Sequence, residues 1–90
     1  MSESVWQFDV EAAVDPQSLL RVLGYFAQRS VVPDALEMRV GDDRMTISLT
    51  ATDLPEAHAL IIAAKLEQIM LVETVRLERL ERIGMQQAAA

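Results

Sequence analysis

The chain holds 90 residues, 51% of them apolar, and a formal net charge of −6. That length allows one domain with one core, and that apolar fraction excludes a disordered chain. The acidic balance, with no basic patch to neutralise phosphates, excludes nucleic acid and an anionic membrane surface as partners, and the lack of cysteine excludes a disulfide framework and thiolate chemistry.

The first residues carry acids and no apolar core run, so no signal peptide is expected. No apolar run approaches the length of a membrane span, and the cytoplasm is the expected compartment. The apolar fraction is high for so small a domain, whose own burial is limited by its surface-to-volume ratio. Another chain is therefore expected to cover part of the surface.

Val5 to Ala13 alternates, with Trp6, Phe8, Val10 and Ala12 on one face and Gln7, Asp9 and Glu11 on the other. That is a strand with one buried face. Asp15 and Pro16 then open a helix: Asp15 is a good N-cap, and proline at the first helical position sacrifices no hydrogen bond. Leu19, Val22, Leu23 and Phe26 form its apolar stripe. Gly24 inside the helix costs roughly 1 kcal/mol relative to Ala, and tight packing on the sheet is the expected reason for it.

Ser30 to Asp34 is a connector, where Pro33 ends any helix. Ala35 to Val40 alternates again, with Leu36, Met38 and Val40 on one face and Glu37 and Arg39 on the other. Gly41-Asp42-Asp43 is a short hairpin turn. The chain returns with Met45, Ile47, Leu49 and Ala51 inward and Thr46, Ser48, Thr50 and Thr52 outward.

Asp53 or Thr52 is expected to cap a second helix, with Pro55 in its first turn. Ala59, Ile62, Ala63 and Leu66 make its core face. Ala57, Leu60, Ile61 and Ala64 make its back more apolar than a surface helix needs. Scattered surface residues explain this as readily as a contact with a second subunit. Val72 to Leu77 is the last strand, with Val75 and Leu77 inward. The segment from Glu78, with Arg79, Glu81 and Arg82 around Leu80 and Ile83, either extends that strand or forms a helical turn, and a frayed tail is expected beyond Gly84.

The order is β-α-β-β-α-β. With right-handed crossovers this predicts an α+β, ferredoxin-like fold: a four-stranded antiparallel sheet with both helices on one face.

No catalytic constellation emerges. His58 is the only histidine and reads as a surface residue, so no histidine-rich metal site can form. The glycines stand alone at 24, 41 and 84, so no glycine-rich loop cradles a phosphate. Neither cofactor nor metal is expected, nor an enzyme. The start of the first helix, from Val14 through Asp15, Pro16, Gln17 and Ser18, offers free amides and a positive dipole end where a small carboxylate could bind. Asp15 competes for the same amides.

The stretch Pro16-Gln17-Ser18-Leu19-Leu20-Arg21-Val22-Leu23, continued by Phe26-Ala27-Gln28-Arg29, resembles the ACT domain and, more narrowly, the small subunit of acetolactate (acetohydroxyacid) synthase. Arg44-Met45-Thr46-Ile47, Lys65-Leu66-Glu67-Gln68-Ile69 and Val72-Glu73-Thr74-Val75 add to the likeness, which runs from about Phe8 to Glu78. The resemblance implies an ACT-like domain over residues 4–78 and a partly disordered C-terminal extension over 79–90. It implies a regulatory subunit of branched-chain amino-acid synthesis, supporting a thiamine-diphosphate-dependent large subunit. Regulated members carry Gly after the proline and Asn two residues before it. Here those positions are Gln17 and Val14, so feedback binding of an amino acid is expected to be weak or absent. The chain looks like the short type of small subunit.

A stand-alone amino-acid sensor and a ferredoxin-like module with an unrelated partner are the alternatives. A homodimer is expected through the edge strand, by way of Leu36, Glu37, Met38, Arg39 and Val40. Leu60, Ile61 and Ala64 are the candidate surface for a further partner.

Overall fold

The Asp15-Pro16 signal acts as predicted: the Asp15 carboxylate accepts from the Gln17 N–H at 2.7 Å and the first helix begins at Pro16. A computed structural model describes residues 4–80. They form β1 (Val5–Ala12), α1 (Pro16–Gln28), β2 (Ala35–Val40), β3 (Met45–Thr52), α2 (Glu56–Glu67) and β4 (Val72–Leu80). The sheet order is β2-β3-β1-β4, with every neighbouring pair antiparallel. This is the expected split βαβ arrangement.

The core lies between one face of the sheet and the two helices. Phe8, Val10 and Ala12 of β1 and Ile47, Leu49 and Ala51 of β3 are fully buried there, with Val22 and Phe26 of α1 and Ala59, Ile62 and Leu66 of α2. Phe8 and Phe26 meet edge to face, centroids 5.0 Å apart. Leu54 and Ile69, just outside the ends of α2, close the core at two corners.

The buried stripe of α1 runs through Ser18, Val22 and Phe26. Leu19 and Leu23, expected at its centre, are only partly buried on its flank. A serine can hold a core position because its Oγ donates to the Ala13 carbonyl at 2.8 Å, leaving no unpaired hydroxyl. Gly24 also departs from expectation. A Cβ built there would meet nothing within 4 Å among the described residues, so none of their elements packs closely against it. At the other end, Arg29 is the C-cap and Ser30 takes a left-handed φ of 59°. The Ser30 N–H donates to Ala27 and the Val31 N–H to Phe26, satisfying the last carbonyls of the helix.

Neither Thr52 nor Asp53 caps α2. Its N-cap is Pro55, without a side-chain bond, and Asp53 instead turns the chain with a φ of 61°. The Thr52 hydroxyl donates to the Asp34 carboxylate, and the Asp53 N–H to the Ser4 carbonyl at 2.8 Å. These residues secure the turn, and the helix start is held from elsewhere.

β4 runs past Leu77 to Leu80, so the segment from Glu78 extends the strand. The remainder of the proposed C-terminal extension, 81–90, lies outside the described residues. A bulge opposite Glu11 and Ala12 sets Glu73 aside from the ladder. Its carboxylate lies 3.6 Å from Arg44, which also pairs with Glu11 at 3.1 Å. On the open face of the sheet Asp9 accepts from Gln7 and Ser48. No helix of the described residues is long and apolar enough to cross a membrane.

β2 is exposed along its whole length. Leu36, Met38 and Val40 pair with Leu49, Ile47 and Met45 and therefore share the helix-side face. They are nevertheless 46%, 42% and 59% exposed. α2 packs against β4 at the far edge, so the helix layer is displaced toward that side and β2 is left uncovered.

Candidate functional site

β2 combines two unfinished features. Among the described residues, its outer edge has no neighbouring strand and its apolar face no covering layer. The hairpin fixes which peptide groups are free. The Gly41 N–H donates to the Arg44 carbonyl at 2.9 Å. By antiparallel alternation, Arg39 and Glu37 are then the residues bonded to β3, and Leu36, Met38 and Val40 turn their N–H and C=O groups outward. The Arg39 guanidinium meets the Glu37 carboxylate of the same strand at 3.3 Å, and both side chains are well exposed. The opposite edge is protected differently: β4 carries Glu73, Arg76, Glu78 and Arg79, charges that discourage strand addition.

α1 extends the apolar surface. Its Tyr25, Gln28 and Arg29 line a shallow open cleft with Ile62 and Lys65 of α2. At 100° per residue, Leu19 and Leu23 fall on the flank of α1 turned away from α2, on the β2 side of the fold. Leu20, 62% exposed, adjoins them on the outer surface. Sequence reasoning missed this extension because it assigned Leu19 and Leu23 to the core. The signal was present in Ser18, which lies four residues before Val22 and eight before Phe26.

The candidate ligand segment lies at the same end of the sheet, since Ala12 pairs with Met45 and Met45 with Val40. Val14 is half-exposed, Pro16 and Gln17 are exposed, and Asp15 is half-buried. Ser18 is fully buried, and its N–H bonds to the Asp15 carbonyl at 3.0 Å. The Asp15 carboxylate already accepts from the Gln17 N–H and places negative charge at the helix start. A ligand carboxylate would have to displace it. On α2, Leu60 and Ile61 are exposed together with Ala57 and Ala64, as the sequence suggests. Met70, almost wholly exposed, follows the helix. Among the described residues no group of His, Asp or Glu could hold a metal ion.

A four-stranded split βαβ sheet whose helix start and edge strand converge at one end defines a small α+β module of ferredoxin-like fold. The chain belongs to the ACT-like domain family, whose model matches residues 2–84. Among solved structures it is similar to the ACT domain from GTP pyrophosphokinase of Chlorobium tepidum, with a TM-score of 0.72 and 15% identity over 88% of this chain and 100% of that one. It is also similar to the regulatory subunit of aspartate kinase from Thermus thermophilus, with a TM-score of 0.68 and 17% identity over 86% of this chain and 53% of that one. A homoserine dehydrogenase from Thiobacillus denitrificans shares 25% identity, with a TM-score of 0.74, over 92% of this chain and 19% of its own length. The comparison with curated proteins finds no match. ACT domains are commonly regulatory, ligand-binding and non-catalytic modules.

Proposed function

We propose that this chain is a non-catalytic accessory subunit, acting in the cytoplasm on a thiamine-diphosphate-dependent acetolactate synthase. The observation that carries this reading is the uncovered β2 strand beside an α1 helix with the Leu19-Leu20-Arg21-Val22 sequence. A module that leaves Leu36, Met38 and Val40 in water is built to be completed by protein. Membership of the ACT-like family supports the regulatory half of the reading. The Leu-Leu-Arg-Val likeness supports the choice of enzyme.

In this reading two copies pair through β2, using Leu36 to Val40. The back of α2, with Leu60, Ile61 and Ala64, faces the catalytic subunit. A small amino acid would meet Val14, Asp15, Pro16 and Gln17, where the Asp15 cap and the Gln17 side chain oppose it. The subunit therefore supports catalysis more than it senses end product. The test is to mix the purified chain with a large synthase subunit and follow condensation of pyruvate. A several-fold rise in rate that is lost in Leu60→Asp/Ile61→Asp supports the reading. An unchanged rate, with no complex on sedimentation, contradicts it.

A further inference from the structure

We propose that the outer groove between α1 and α2 receives an acidic amphipathic helix of a partner protein. This rests on the reading above, in which the back of α2 meets a partner, and names the chemistry of what lies there. The two helices touch along their flanks. Ile62 forms the floor of the shallow cleft between them, and Tyr25 is half-buried in its wall. At 100° per residue, Arg21 and Gln28 share the α2-facing flank of α1 with Tyr25. His58, Ile61 and Lys65 share the facing flank of α2 by the same rule. Arg29 lines the cleft from the end of α1.

Charge on this layer is sorted. α1 contains no acid between Pro16 and Gln28. The acids of α2, Glu56 and Glu67, fall on its opposite flank beside Leu60. Elsewhere Arg39 pairs with Glu37, and Arg44 with Glu11 and Glu73. Arg21, Arg29 and Lys65 form no ion pair among the described residues, although the chain carries a net charge of −6. Like charges gathered along one groove repel, and carboxylates brought by a partner relieve that repulsion. Ile61, 37% exposed, supplies an apolar seam with the exposed Ala57 and Ala64. Gly24 shares one ridge of α1 with Arg21 and Gln28, and its missing side chain leaves room for close approach. A helix suits this groove because its ridges seat between those of α1 and α2 and its own peptide groups are already paired. An extended segment would leave peptide groups unpaired over side chains. A second copy of the chain would set these cations against their own counterparts across a two-fold axis.

Two synthetic helical peptides of about 20 residues test this. They share one apolar face of Leu and Ala and differ in the polar face, Glu in the first and Lys in the second. Each is titrated to millimolar concentration into the isotope-labelled full chain. The net charge of the chain favours the Lys peptide, whereas the groove favours the Glu peptide. The Glu peptide is expected to shift the amide signals of Gly24, Tyr25, Ile61 and Lys65, and to bind more weakly as salt rises. Arg29→Glu/Lys65→Glu should weaken that binding roughly three- to thirty-fold. Both positions are exposed, so circular dichroism should show an unchanged fold. Preference for the Lys peptide, shifts confined to β2, or no shift from the Glu peptide would overturn the proposal. A chain that binds the Glu peptide in the groove but activates no synthase would sink the subunit assignment alone. A synthase activated equally well by Arg29→Glu/Lys65→Glu would sink the groove alone.

Discussion

The indole N–H of Trp6 donates to the main-chain carbonyl of Leu54 at 2.9 Å, in the buried corner where α2 begins. This bond anchors the chain entering α2 to β1, though as a donor to a carbonyl it does not cap the free amides of the helix. Pro55 offers no side-chain cap, so the start of α2 is tied to β1 through Trp6. Arg79 of β4 lies over the same ring, 5.8 Å from its centroid, and shields it from the strand side. Trp6→Phe keeps most of the packing but leaves the Leu54 carbonyl without a partner. The expected cost is roughly 1–3 kcal/mol by urea denaturation. A change below about 0.5 kcal/mol would mean that water reaches that carbonyl.

Gly24→Ala is expected to stabilise the fold. Nothing approaches the position within 4 Å and its φ is not left-handed, so a methyl group enters without a clash. Helix propensity then favours Ala by roughly 1 kcal/mol. Thermal melting at constant concentration reads the effect. A fall in stability would show that Gly24 receives a close neighbour other than the described residues of its own chain.

Phe26→Ala should destabilise by roughly 3–5 kcal/mol, since it removes a buried ring and its edge-to-face contact with Phe8. Leu20→Ala, at an exposed position of the same helix, should cost within about 0.5 kcal/mol in the isolated chain. Equal effects from the two would place the stripe of α1 elsewhere.

Valine, leucine or isoleucine at millimolar concentration should leave the melting temperature unchanged. The Asp15 carboxylate holds the Gln17 amide, and Ser18 is turned into the core. A ligand that binds only the native state must raise its stability. A saturable upward shift would show that the helix start does accept an amino acid.

Much of the fold was legible because its signals are local. The alternation of Trp6, Phe8, Val10 and Ala12 and of Met45 through Ala51 marks a buried face directly, and Asp15-Pro16 marks a helix start. Three features were not legible, for separate reasons. Ser18 reads as polar by type, yet its hydroxyl is satisfied by a carbonyl five residues back, which only the folded turn reveals. The start of α2 is held by Trp6, far away in sequence, so the local candidates Thr52 and Asp53 were natural but wrong. Alternation in β2 shows that Leu36, Met38 and Val40 share a face. It cannot show whether a helix or a second copy covers that face, because the period is the same in either case. The candidate interface was thus readable as a strand edge, and its uncovered apolar face appears only once α2 is placed over β4.

The central claim is that β2 is completed by a second copy, and sedimentation equilibrium at micromolar concentration tests it most directly. The account predicts a species at twice the 10.0 kDa chain mass, reduced to the single chain by Met38→Pro, which removes an outward N–H from the edge. A single species near 10.0 kDa for the unmodified chain would contradict it.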